Sequence, residues 1–250
     1  EVAPWYLRNI TQALELDSEN GTVFLRVSTI GGGATNQGKL WTQQIAEGTV
    51  SGYSTRQVTG YNPTTSAGDC VWAAGTAYPW ASLATAQTLY IKSSTNNAND
   101  RQLQVRIDGL DANYEELSEI ITLNASNSTT AVATINQFLR INNFICSNHL
   151  VNEGNITVSV TSGSGTVVEE ILANNGRCQT AVYTIPAGKT GYLWKGDASS
   201  TAATVVEFFV RYYGKAFIIS HTAIVDNSTY IYDFPFPPTL PEKTDMYCTK

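Results

Sequence analysis

Five acids crowd one short stretch of the chain: Asp108, Asp111, Glu115, Glu116 and Glu119. Hard cations such as calcium take carboxylate oxygens, so cation binding is the first chemistry this group brings to mind. The spacing argues against it. A calcium loop sets its ligands as D-x-[DN]-x-[DN]-G, and these acids do not follow that pattern. They fit a solvated turn and the outer face of a strand. There are two histidines, His149 and His221. His149 falls in a polar loop, where it is expected to be solvent exposed, and His221 at a strand end, where a structural role is expected. Neither an H-E-x-x-H zinc motif nor a G-x-S-x-G nucleophile elbow occurs. A glycosidase needs two opposed carboxylates at a defined gap, and nothing singles out a pair among the 21 acids. No catalytic, cofactor-binding or metal-ligating residue is therefore assigned, and the chain is expected to be non-enzymatic. A secreted hydrolase is the weakest of the alternatives, for want of a site.

Four cysteines, Cys70, Cys146, Cys178 and Cys248, are widely spaced with no C-x-x-C pair, which argues against zinc ribbons and thioredoxin-like redox chemistry. Two disulfides in any of three connectivities are open to them. So are four buried thiols, since cysteine is among the most buried residue types. N-x-[S/T] sequons occur at Asn9, Asn20, Asn124, Asn127, Asn155 and Asn227. They mark surface turns, and are glycosylation sites only on a suitable secretory route.

The acids belong to the most legible supersecondary unit in the chain. In VRIDGLDANYEELSEIITL (Val105–Leu123), apolar residues lead into Asp111-Ala112-Asn113 and return through Leu117, Ile120, Ile121 and Leu123. Asp and Asn favour turns because their short side chains bond nearby backbone. A strand, a tight turn and a strand follow, then a third strand over Ala131–Ile145. Further strands are expected at Leu40–Ala46, Val50–Val58, Thr88–Lys92, Ile156–Val160, Val167–Leu172, Thr180–Ile185, Gly191–Trp194, Ala203–Tyr213, Ala216–His221, Tyr230–Phe234 and Asp245–Cys248. Period-two alternation carries these assignments. Turn signals recur every 8–14 residues or so, which is the spacing of a sandwich or barrel. Trp72, Tyr78 and Trp80 are expected in core and sheet packing, with an exposed sugar-stacking platform as the functional alternative. Residues 1–34 form an arm with alternating Val23, Leu25 and Val27, an Asn20-Gly21 turn and a Gly31-Gly32-Gly33 connector; its one helix candidate is Ala3–Leu16. The expected fold is all-β, a β-sandwich or jelly-roll-like domain over 35–250 with an extended N-terminal arm. Two packed halves, about 35–145 and 146–250, are expected within it.

Composition narrows the class of protein. The 250 residues are 42% hydrophobic but only 14% charged, against about 25% charged in ordinary globular chains. Asn, Thr, Ser, Gln and Gly must supply the polar surface, as in extracellular β proteins and virion proteins. A net charge of −6 and a pI near 4.9 give no general attraction for nucleic acid, and none is expected as a partner. No apolar run reaches the roughly 20 residues a membrane helix needs. The sequence opens on Glu1 without a signal-peptide pattern, so the expectation is a leader or pro-segment already removed, or a trimmed sequence.

Five runs resemble a recurrent family of structural proteins: IDGLDANYEELSEIITLN (107–124), TTAVATINQFLRINNFI (129–145), VYTIPAGKTGYLWK (182–195), VEFFVRYYGKAFIISH (206–221) and YDFPFPPTLPEKTDM (232–246). The outline, over about residues 40–248, is similar to virion proteins of uncultured marine tailed phages and of large DNA viruses of algae. The resemblance implies a virion component: capsid-associated, as a minor capsid or decoration protein, or alternatively part of a tail or fibre. It implies neighbouring virion proteins as partners, the major capsid protein among them, and homo-oligomeric copies in an extracellular particle. A carbohydrate-binding adhesin that meets a host glycan is the competing expectation. No cofactor is implied. The arm 1–34 lies outside the outline and is expected to dock on a neighbour by strand addition.

Overall fold

A computed structural model describes residues 40–63, 68–147, 150–163 and 165–250. The arm 1–34, with its expected hairpin and helix candidate, lies outside the described residues, as do Asn9, Asn20 and His149. The chain parts into two compact units at Gln57/Val58.

In the first unit, residues 40–57 are not the pair of strands expected. Trp41–Ala46 is a short helix, α1. Gln43 folds its side chain back to accept the Leu40 N–H at 3.1 Å, satisfying one donor that a helix start leaves open. Gly48, at φ +71°, lets the chain leave the helix left-handed. The apolar residues Trp41 and Ile45 lie four apart, a helical repeat, and Ile45 is buried. Trp41 packs edge-on against Tyr53 at 5.3 Å. Residues 50–58 form no strand; a turn from Val50 to Tyr53 and a left-handed Gly52 replace it.

The second unit is an all-β sandwich of antiparallel sheets. Its strands are β1 Gln87–Ser93, β2 Gln104–Leu110, β3 Glu116–Thr122, β4 Val132–Phe138, β5 Arg140–Cys146, β6 Ile156–Ser159, β7 Val167–Ile171 and β8 Val182–Thr184. After them come β9 Gly191–Tyr192, β10 Lys195–Ser200, β11 Thr204–Arg211, β12 Ile218–Val225, β13 Ser228–Asp233, β14 Thr239–Leu240 and β15 Asp245–Thr249. The larger sheets have the orders β4-β1-β6-β7, β12-β11-β15-β8 and β3-β2-β5; β10-β13 and β14-β9 form two-stranded ribbons. β1 pairs with β6, so one sheet runs through the expected dividing point at 145/146.

The main core is one apolar cluster. Leu89 and Ile91 of β1, Ile156 and Val158 of β6 and Ile171 of β7 meet Val105 and Ile107 of β2 and Phe144 of β5. The alternation seen in the sequence holds here because each strand offers one face to this layer. It fails where the chain changes sheets. The single strand expected over Ala131–Ile145 is two, β4 and β5, belonging to different sheets. They are separated by Leu139, whose N–H donates to the Leu110 carbonyl at 2.7 Å. Phe138, Leu139, Arg140 and Ile141 are all buried in succession, as expected of a sandwich corner and not of a half-buried strand. β10, a polar KGDASS run, carries no strand signal of its own; its partner β13 makes it one. β12 extends beyond the expected end at His221 to Val225.

The β2–β3 hairpin stands as expected, with Gln104 opposite Thr122 and Leu110 opposite Glu116. Its turn is built on Asp111, whose Oδ1 accepts the N–H groups of Asn113 and Glu115 at 2.8 and 2.9 Å. The left-handed residue is Tyr114, at φ +67°. Gly109 is no turn glycine. A Cβ there would collide with the Arg140 carbonyl oxygen, at the point where the β2–β5 register shifts between Asp108 and Gly109.

Candidate functional site

The five acids of the hairpin do not converge on one point. Asp108 accepts from Ser118 Oγ at 2.7 Å and Asn143 Nδ2 at 2.8 Å, and pairs with Arg106 at 3.1 Å. Asp111 is used up in its own turn. Glu119 reaches from β3 to β4, where its carboxylate accepts the N–H groups of Ile135 and Asn136 at 2.8 and 2.9 Å and Asn136 Nδ2 at 3.0 Å. Glu115 and Glu116 are exposed. Among the described residues, no group of three or more His, Cys, Asp or Glu is gathered as a metal would require.

His221 is enclosed by aromatic rings. Its Nε2 lies 2.7 Å from Tyr230 Oη, and its ring packs on Phe208, Tyr230 and Tyr232. The exposed platform considered for Trp72, Tyr78 and Trp80 does not exist as such. Trp72 and Tyr78 are 1% and 6% exposed, stacked edge-on at 5.3 Å, with Trp72 Nε1 donating to the Thr76 carbonyl. Their apolar area puts them in the core.

All four cysteines stand as thiols. Burial pushes the Cys146 thiol up to about 11 and that of Cys248 to about 12. Burial, joined by nearby Glu169 and other charges, raises Cys70 and Cys178 as well. Thiols so held carry little thiolate, the form that attacks or ligates. Of the sequons, Asn124 and Asn127 spend their side-chain carbonyls on their own turns. Asn155 is clamped at both ends, donating to Glu170 Oε1 at 2.9 Å and accepting the Ala173 N–H at 2.9 Å. Asn227 is exposed in the turn between β12 and β13, at φ +44°.

The charged group that does converge had no motif to announce it. Asp245, 3% exposed, accepts from Arg140 Nε at 2.8 Å, Arg211 Nη2 at 2.6 Å and Thr184 Oγ1 at 2.6 Å. Arg140, also buried, sends its Nη1 to the carbonyls of Leu83 and Leu139. Both guanidinium groups lie over the Trp80 ring, at 5.3 and 5.0 Å. Burial alone would raise the Asp245 carboxyl, but the hydrogen bonds and charge of Arg140, with help from Thr184 and Arg211, hold it below its ordinary range. Burial pulls Arg140 down and Asp245 more than restores it. Every polar atom of Asp245 faces a protein donor, so the cluster ties β5, β8, β11 and β15 together and leaves no reactive group poised. A second buried acid, Glu169, takes Thr180 Oγ1 at 2.5 Å; burial raises its carboxyl to about 7.

With Asp245, Glu169 and the buried thiols committed inward, the remaining candidate is an exposed apolar face. On β11 and β12, Val205 pairs with Ile224, and the two are 49% and 78% exposed. Ile218, Ile219 and, on β13, Ile231 are also more than half exposed. The β10–β13 ribbon covers only the small cluster of Val206, Ala223 and Val225. Val205, Ile219 and Ile224 share the face of the β11–β12 pair turned away from the ribbon, and exposed apolar groups on one face mark contact surfaces. Compared with family models, curated proteins and solved structures, the chain matches none.

Proposed function

We propose that the chain is a non-enzymatic virion structural protein, a minor capsid or decoration component that assembles with neighbouring copies and with the particle shell. The exposed apolar face of β11 and β12, with Val205, Ile219 and Ile224, carries this reading: a subunit of an assembly needs faces that water alone does not satisfy. The resemblance of residues 107–124, 182–195 and 232–246 to virion proteins supplies the kind of assembly. The burial of Asp245, Glu169 and the thiols of Cys70, Cys146 and Cys178 agrees with a scaffold. The major capsid protein is the expected shell partner, and the particle is extracellular.

The test is mass spectrometry on density-purified particles from the source sample, with copy number measured against the major capsid protein. A fixed ratio is expected. Absence from particles in which other minor components are detected would overturn the reading. A tail, fibre or glycan-binding role is the second reading, favoured by Tyr192 and Trp194, each more than half exposed. Binding on a glycan array that Trp194→Ala removes would select it.

A further inference from the structure

We propose that β12 is the strand through which two copies of this chain join, edge to edge and antiparallel, about a twofold axis. The proposal rests on reading the chain as an assembly subunit and names the surface and partner that reading leaves open.

An outer strand presents unpaired N–H and C=O groups and pairs with another chain unless something prevents it. The outer strands of the larger sheets are prevented, each by its own device. On β4, Glu119 occupies the N–H groups of Ile135 and Asn136. Along β5, the segment 176–178 is laid alongside, with Cys146 N–H donating to Gly176 and Cys178 N–H to Phe144. β3 carries Glu116 and Glu119, and β7 carries Glu169 and Glu170. β8 is three residues long, and Thr184 exchanges two hydrogen bonds with Asn142.

Among the described residues β12 has none of these. Its one irregularity is a bulge at Ser220, where the register with β11 shifts between Phe208 and Phe209. Residues 221–225 beyond it are a regular open edge. β12 is eight residues, IISHTAIV, at the edge of its sheet, with no Pro and no Asp, Glu, Lys or Arg. Its exposed side chains include Ile218, Ile219 and Ile224. A chain of net charge −6 repels its own copies over most of its surface, and like charges opposed across a strand pair are destabilising. A neutral strand meets its own copy without that penalty. Self-pairing in the antiparallel sense is isologous, so it closes at two copies and merges two β12-β11-β15-β8 sheets into one. It also brings the exposed Ile224 and Val205 of each copy alongside the junction.

Light scattering on the full chain across a concentration series tests this. The expected mass is twice the 27.1 kDa chain, falling to the single-chain mass in Ile219→Lys and Ile224→Lys, both at exposed positions and both checked for an unchanged fold by circular dichroism. Single cysteines at Ser220, Thr222 and Ile224 then locate the axis. In a twofold antiparallel pair the residue nearest the axis faces its own copy, so one variant forms the disulfide dimer at least tenfold faster than the others and than wild type. A wild type monomeric at 100 μM, or a dimer untouched by both lysines, overturns the proposal and leaves the particle reading standing. A dimer that the lysines dissolve, in a protein absent from particles, upholds the pairing while the particle reading fails.

Discussion

Arg140 and Asp245 meet at 2.8 Å although 105 residues of chain separate them. Arg140 opens β5 and Asp245 opens β15, so the contact fastens one sheet to another. Thr184 and Arg211 complete the ring of donors around the carboxylate. Burial makes the contact demanding in the sense that losing one partner strands the other charge out of water.

Asp245→Asn keeps the shape and removes the charge. The Arg140 guanidinium is then buried without a counter-ion, and a loss of about 3–5 kcal/mol in unfolding free energy is expected. Arg211→Met, at a side chain 25% exposed, should cost distinctly less. Because the Asp245 carboxyl is held below its ordinary value, its contribution is present above the unfolded pKa and is lost as pH falls through the depressed one. Urea titrations of both variants at neutral pH check the order. Equal losses would mean the ring of donors is not centred on Asp245.

Glu169 works in the opposite direction. Its carboxyl is raised to about 7 from an ordinary 4.5, so its contribution is whole below the unfolded pKa and is lost as pH rises through the folded one. Between those limits wild-type stability should fall by about 3 kcal/mol from this group alone. Glu169→Gln preserves an acceptor for Thr180 Oγ1 and for the Glu170 N–H and cannot ionise. Its stability should be flatter between pH 5 and 8 than that of wild type. Identical slopes would show that Glu169 titrates normally.

Gly109 carries a different kind of constraint. A methyl group there meets the Arg140 backbone oxygen and the Phe138 ring, and backbone cannot step aside as a flexible side chain can. Gly109→Ala is expected to cost about 2–3 kcal/mol, within the range for overpacking a core, and to lower the thermal midpoint. Gly188→Ala gives the contrast: no atom lies near its would-be Cβ, and only its φ of +69° resists, so it should cost about 1 kcal/mol. If both substitutions behave alike, the close approach at Gly109 is not what constrains it.

These groups also show where sequence was legible. Alternation located most of the strands because each turns one face to a shared core, and Asp111 located the hairpin turn because its carboxylate builds it. Helix α1 was mistaken for a strand: six residues are too few for a helical period to stand out, and the Gln43 cap is a side-chain choice that no pattern announces. β10 was missed because polar KGDASS becomes a strand only through β13. The Arg140–Asp245–Arg211 cluster and Glu169 were invisible for a related reason. A charged residue in an alternating strand looks like its outward face, and only tertiary pairing brings it inside. Trp72 and Tyr78 were legible as core aromatics, and their burial leaves no room for the sugar-stacking alternative.

Glu119 gives the sharpest case of an acid with a hidden role. In the hairpin it resembled a solvated side chain. In the fold it closes an irregular stretch of β4, where the register with β1 shifts between Thr88 and Tyr90. The freed N–H groups of Ile135 and Asn136 turn to its carboxylate, while the Leu89 N–H takes Thr134 Oγ1 instead. Glu119→Ala should therefore cost about 1–2 kcal/mol, given partly exposed bonds to a charged acceptor, and should speed amide exchange at Ile135 and Asn136. Glu119→Gln should fall between, since its amide nitrogen cannot accept the second N–H. Beyond stability, Glu119→Ala also opens a second unguarded edge beside the fully exposed Ile135. Slow association at high concentration, absent in Glu119→Gln, is the expected consequence, and light scattering over days would detect it. If Glu119→Ala stays as dispersed as wild type, the carboxylate is a local clamp and does not guard the edge.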